Sequence, residues 1–137
     1  MARSPSRAEA SRALLGGHRI TLIKGGVAFF AALVEAIDAA RAEVLLETYI
    51  FDFHGGAVAI AEALERAAAR KLTVRVVVDG FGTPAIPVDW QERWTRAGVH
   101  WRVFSPGGSL SLLRPGHWRR LHRKLAVVDA AVAFCGG

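Results

Sequence analysis

Two short runs rich in apolar, β-branched and aromatic residues constrain this chain more than any other feature. They lie at positions 44–51 (Val-Leu-Leu-Glu-Thr-Tyr-Ile-Phe) and 73–79 (Thr-Val-Arg-Val-Val-Val-Asp). Runs of this length and composition read as strands covered on both faces. Between them, Gly55-Gly56 releases an amphipathic helix with Ile60, Ala61, Leu64, Ala67 and Ala68 on its buried stripe. Glu62 stands one turn before Arg66 on that helix, a spacing that allows the two to pair. A helix from Gly26 precedes the first run and places Phe30, Leu33, Val34 and Ile37 on one face. After the second run come an Asp79-Gly80-Phe81-Gly82 loop and a third helix over 89–97. A strand at 99–104 and a glycine- and proline-rich loop at 105–116 follow. Two final strands at 121–128 and 131–135 are joined through Asp129 and Ala130. This order predicts an α/β domain of α/β/α layers around a central mixed sheet, with ligands gathering at strand ends.

The 137 residues, 52% of them hydrophobic, suffice for one domain whose core needs no metal or disulfide staple. Cys135 has no partner in the sequence, which excludes a disulfide framework and suits a reducing, cytoplasmic setting. The apolar stretch at 27–34 is broken by Glu35 and Asp38, too soon for a spanning helix. Residues 1–18 carry Arg3, Arg7 and Arg12 against Glu9 and read as a mobile basic arm, leaving 19–137 as the domain. The last strand runs into Gly136-Gly137 with no helix to cover it, so the domain reads as incomplete at its carboxyl end.

The formal charge of +6 is concentrated in one place. Residues 93–128 contain no acid and eight cations: Arg93, Arg96, Arg102, Arg114, Arg119, Arg120, Arg123 and Lys124. The remainder, with ten cations against twelve acids, nets −2. Trp94, Trp101, Phe104 and Trp118 interleave with the cations, a composition suited to phosphates beside apolar material, either nucleic acid or an anionic membrane. The plain alternative is a solvated basic face over buried tryptophans.

Within that window His122-Arg-Lys124-Leu-Ala-Val-Val-Asp129 carries the chemistry. On a strand, His122 and Lys124 project from one face, roughly 7 Å apart at their Cα atoms, while Leu121, Leu125 and Val127 anchor the other. A histidine beside a fixed ammonium suits attack on a phosphodiester. The imidazole supplies the nucleophile, and the lysine binds the non-bridging oxygens. Asp129 lies past the strand's end and is better placed to orient neighbouring groups than to attack. His117, His122 and Cys135 do not form a convincing metal set, and Ser105, Ser109 and Ser111 lack the context of a serine hydrolase.

This arrangement resembles the phospholipase D superfamily, whose signature is His-x-Lys-x4-Asp followed by a strand and a small Gly-Gly element. The residues Leu46-Glu47-Thr48-Tyr49-Ile50-Phe51, Val76-Val77-Val78-Asp79-Gly80-Phe81-Gly82, Ala97-Gly98-Val99 and Arg119-Arg120-Leu121-His122-Arg123-Lys124 are similar to the first half of bacterial cardiolipin synthases. The similarity is to the B type, which lacks amino-terminal membrane helices. The resemblance implies that His122 is one of two active-site histidines, Lys124 a phosphate ligand and Asp129 the motif acid, largely structural or orienting. It implies substrate-side roles for Glu47, Asp79 and Arg120. For Glu47 a strand-end salt bridge, and for Asp79 a loop cap, stand as equal readings.

The resemblance implies a phosphatidyltransferase on the cytoplasmic membrane surface that makes cardiolipin through a phosphohistidine, with no metal or organic cofactor. Its partners would be an anionic phospholipid, the membrane surface and a second His-x-Lys-x4-Asp half, supplied by further chain or by a dimer mate. Trp118 and residues 110–113 are the expected membrane contacts, with Arg114, Arg119 and Arg120 on lipid phosphates. A dimeric nuclease with the same chemistry, or a non-catalytic module binding anionic lipid or nucleic acid, are the other readings.

Overall fold

The computed structural model describes residues 16–105 and 121–136. In chain order the elements are α1 (Gly26–Ala39), β1 (Glu43–Thr48), α2 (Ala57–Ala69), β2 (Thr73–Asp79), α3 (Val88–Ala97), β3 (His100–Phe104), β4 (Lys124–Val128) and β5 (Val132–Cys135). The five strands form one sheet in the order β3-β2-β1-β4-β5. β1, β2 and β3 run parallel, and β4 is antiparallel to both β1 and β5. The α/β class and the central mixed sheet are as expected. Most of the predicted arm lies outside the described residues.

Register sorts the strand residues onto two unlike faces. Val44, Leu46 and Thr48 align with Val74, Val76 and Val78 on one side and with Val128, Ala126 and Lys124 on the other. All of these except Lys124 are buried beneath helices. On the opposite face Leu45, Val77, Leu125 and Val127 are half-buried, while Arg75, His100 and Arg102 are exposed. Among the described residues the helices therefore cover one face only. Connectivity explains this. The crossovers β1-α2-β2 and β2-α3-β3 step across the sheet in the same direction, and right-handed crossovers that step the same way put their helices on the same side. α1 joins that layer through the edge-to-face contact of Phe29 with Phe134 and through its own contact with α2.

The helical stripes fall where the periodicity puts them. Leu33 and Ile37 of α1 are buried, as are Ile60, Ala61, Leu64, Ala67 and Ala68 of α2, joined by Ala63. Phe51, Phe53, Trp90 and Trp94 form an aromatic cluster under α3, and Trp94 donates its indole N–H to the Ala61 carbonyl at 3.1 Å. α3 ends on Gly98, whose φ of 96° lets the amides of residues 98 and 99 turn back onto the Trp94 carbonyl. Arg66 reaches across to Asp38 on α1 through two hydrogen bonds, so its ion pair is between helices, not the expected one with Glu62. Arg93 likewise pairs with Glu65 of α2 and lies over the Trp90 ring. Two members of the basic, aromatic window, Arg93 and Trp94, thus belong to helix docking and to the core.

Candidate active site

β4 begins at Lys124, not at Leu121. Strand alternation is therefore not what brings His122 and Lys124 together. Residues 121–123 precede the strand without regular structure, and Leu121 turns its amide to the Asp79 carboxylate instead of to β1. Lys124 pairs in register with Thr48, so it lies on the helix-covered side at the carboxyl end of β1. The next residue, Tyr49, is where the two motif side chains meet. Its ring centroid is 5.1 Å from the His122 ring and 5.9 Å from the Lys124 ammonium. Among the described residues neither the His122 imidazole nor the Lys124 ammonium has a hydrogen-bond or ion-pair partner, and His122 is exposed. Tyr49 was not singled out from the sequence. Its position just past the end of a buried strand was the available signal.

A loop fixes both walls of this site. Asp79, fully buried at the end of β2, accepts hydrogen bonds at Oδ1 from the amides of Phe81 (2.8 Å) and Gly82 (3.3 Å). At Oδ2 it accepts one from the amide of Leu121 (2.7 Å). Thr83, buried as well, accepts from the Phe51 amide (2.8 Å) and donates to the Tyr49 carbonyl (3.3 Å). Gly82 lets the loop approach so closely that a Cβ there would lie 2.3 Å from the Tyr49 carbonyl oxygen. Residues 79–83 thus hold the chain at 49–51 and the start of the His122 segment. Asp79 acts here by positioning. Its bonds are those of a loop cap extended to Leu121, and its side chain is fully buried.

Glu47 lies on the other face of β1, opposite Leu125, and forms a 3.3 Å ion pair with Arg123. The strand-end salt bridge is the reading this geometry matches. Arg120, Trp118, Arg114, Arg119 and residues 110–113 lie outside the described residues.

Asp129 is at the far end of β4, roughly 16 Å from Lys124 at the rise of a strand. Its carboxylate accepts hydrogen bonds from the amides of Arg41 (2.9 Å), Ala42 (2.8 Å) and Glu43 (2.9 Å). These bonds, with that from Glu43 the strongest influence, hold its pKa below the ordinary carboxylate range. The groups Asp129 orients are the backbone amides leading into β1, not His122 or Lys124. The expected orienting role of Asp129 is thus directed, among the described residues, at the entry to β1.

The same end of the sheet carries exposed apolar side chains. Ile50, Phe81 and Phe104 stand at or just beyond the ends of β1, β2 and β3, and Val27 and Val88 open the helices α1 and α3 that start there. A recess of about 400 Å³ opens beside Lys124 between α1, the start of α2, and strands β4 and β5. Among the described residues no three His, Cys, Asp or Glu side chains gather as metal ligands. No helix among them is long and apolar enough to cross a membrane.

Comparison with known proteins agrees with this geometry. The family model described as cardiolipin synthase, PLD-like domain, matches residues 33–137. Cardiolipin synthase B of Escherichia coli K12 is 35% identical over 121 residues, which is 88% of this chain and 29% of that protein. Cardiolipin synthase A of Pseudomonas aeruginosa is 32% identical over 123 residues, 90% of this chain and 25% of that protein. The chain therefore spans less than a third of the length of these relatives. Among solved structures, Nuc from Salmonella typhimurium, a phospholipase D family member, superposes with a TM-score of 0.52 at 22% identity, covering 72% of this chain and 56% of that one. NucT from Helicobacter pylori superposes at 0.51 and 18% identity, covering 79% and 64%. The sheet, the His122 and Lys124 end of β4 and the match over residues 33–137 together make this chain a member of the cardiolipin synthase, phospholipase D-like domain family.

Proposed function

We propose that this domain is one half of a phosphatidyltransferase site that makes cardiolipin from phosphatidylglycerol and a second phospholipid. The observation that carries the reading is the meeting of His122 and Lys124 at Tyr49, with their polar atoms unengaged by described residues. In the first step an imidazole nitrogen of His122 attacks the phosphorus of a phosphatidyl donor. The P–N bond forms, the P–O bond to the departing glycerol breaks, and the leaving oxygen takes a proton from a second histidine. In the second step that histidine takes the proton of an acceptor lipid hydroxyl, whose oxygen attacks phosphorus and releases His122. Lys124 stabilises the charge on the non-bridging oxygens in both steps. The second histidine comes from another His-x-Lys-x4-Asp copy, in further chain or in a dimer mate. Arg120 adds a further cation for the substrate phosphate, and Glu47 acts through Arg123.

The exposed apolar residues Val27, Ile50, Phe81, Val88 and Phe104 around the site end support a lipid over a nucleic acid substrate and a peripheral position on a membrane, whose cytoplasmic face we propose as the site of action. The test uses a protein in which this domain is joined to a second motif copy. It is incubated with phosphatidylglycerol in EDTA, and the lipids are separated by chromatography. Appearance of cardiolipin is the expected result. Cleavage of plasmid DNA without a lipid product would transfer the assignment to a nuclease.

A further inference from the structure

The recess beside Lys124 has a composition that the phosphate chemistry alone does not require. Its walls are Phe29, Phe30 and Leu33 of α1, Ile60 of α2, Leu46 of β1 and Phe134 of β5. The polar residues on its lining are Thr48, Glu47, Asp52 and Lys124. Three of these are engaged elsewhere. The Thr48 hydroxyl donates to the Ile50 carbonyl at 2.9 Å, Glu47 pairs with Arg123, and exposed Asp52 holds His54. Lys124 is the one cation on the lining, and among the described residues its ammonium has no ion-pair partner. Water entering such a volume finds few partners, whereas hydrocarbon chains are favoured there. A cavity of about 400 Å³ is also within the size range of ligand pockets.

We infer that this recess is an acyl-chain subsite: it takes one fatty-acyl chain of the phospholipid whose phosphate lies at Lys124. The inference rests on the reading of His122 and Lys124 as a phospholipid site. Charge complementarity selects the occupant, because a cation at the mouth of an apolar cleft matches an amphiphile with an anionic head. Continuity fixes its direction. Lys124 lies near the Tyr49 ring that His122 also contacts and lines the recess as well, so a phosphate held there directs one glycerol ester inward. Ala57, at the first turn of α2, faces the recess and sets its free depth, since a larger side chain there occupies the volume a chain would fill.

The test measures binding of short-chain phosphatidylglycerols to the 137-residue chain, below their micelle concentrations, by calorimetry. Dioctanoyl phosphatidylglycerol is expected to bind at least roughly tenfold more tightly than the dibutanoyl form, as follows from transferring several methylenes of one chain out of water. In Ala57→Phe the ratio of the two constants should fall to about one, with the circular dichroism spectrum retained. Should that variant not fold, Phe30→Ala widens the recess instead, and the preference should move to longer chains. Equal binding of both lipids by the wild-type chain overturns the subsite, and is the result expected if polypeptide covers the recess. In that case glycerophosphoglycerol still binds and the phosphate site stands. If glycerophosphoglycerol and both lipids all fail to bind, the phospholipid reading itself fails.

Discussion

At the Lys124 end of β4, a buried aspartate from another strand, Asp79, ties down the backbone of Leu121 so that His122 and Lys124 reach the Tyr49 ring with their own polar atoms unengaged. At the Val128 end, the motif's own aspartate, Asp129, gives its carboxylate to three amides that lead into β1. Both carboxylates do the same work, accepting backbone N–H groups to pin a segment to the sheet. What they pin differs. Asp79 supports a site, whereas Asp129 supports the register of the central strand. A motif written as one unit thus separates into a chemical pair and a structural anchor roughly 16 Å apart.

The sharpest way to break this division is to substitute the pair. In the two-motif protein, His122→Ala should lower cardiolipin formation at least roughly a thousandfold, because no other described group offers a nitrogen at that place. Lys124→Ala should lower it roughly a hundredfold or more, as expected for losing a charge-stabilising donor, and Arg120→Ala less. Each is checked by initial rates on protein whose melting curve is retained. Near-native turnover in folded His122→Ala would falsify the division at its chemical end.

Asp79→Ala sharpens the comparison from the supporting side. It leaves the amides of Phe81, Gly82 and Leu121 without their acceptor in a buried place, and should destabilise the fold by about 2–3 kcal/mol in urea denaturation. Activity should fall with it, since Leu121 positions His122. Gly82→Ala should act in the same direction by pushing Tyr49 away from the histidine, read as a change in the His122 ring resonance.

Asp129→Asn tests the anchor. The native carboxylate titrates below its ordinary range, so its contribution is complete above the unfolded pKa and disappears as pH falls through the folded one. The variant should melt at a lower temperature than the wild type at neutral pH, and the two curves should converge as pH falls below the ordinary carboxylate range. A gap that widens on acidification contradicts the anchoring role. The smallest effect is expected beside it. Ala130 has a φ of 52°, a left-handed conformation that costs an alanine about 1 kcal/mol, so Ala130→Gly should stabilise by up to about that amount in the same denaturation experiment.

Much of this was legible in the residues because burial leaves a periodic mark. The stripes of α1 and α2 and the runs containing β1 and β2 follow from apolar spacing, and the turn at Asp129 and Ala130 from the break between two apolar segments. Contacts between elements leave no such mark. Arg66 chooses Asp38 on another helix over Glu62 on its own, a choice that depends on where α1 crosses α2. The residues Leu121-His122-Arg123 alternate like a strand, yet Leu121 bonds to Asp79 instead of to β1, so β4 starts three residues later. The apolar runs predict cover on both faces, and among the described residues the helices stand on one. Residues such as Leu45 and Val77 are apolar because they lie in central strands, not because a helix covers them here. Tyr49 escaped notice for a similar reason: its importance is a distance to His122 across the sheet.

The most direct test of the account is a titration of the 15N-histidine-labelled 137-residue chain with inorganic phosphate, followed by NMR. The account predicts a saturable shift of the His122 ring resonance, with His18, His54, His100 and His117 unmoved. It predicts that the shift persists in Asp129→Asn and is lost in Lys124→Ala. A shift that survives Lys124→Ala, or vanishes in folded Asp129→Asn, would contradict the separation of the motif into a phosphate-binding pair and a distant anchor.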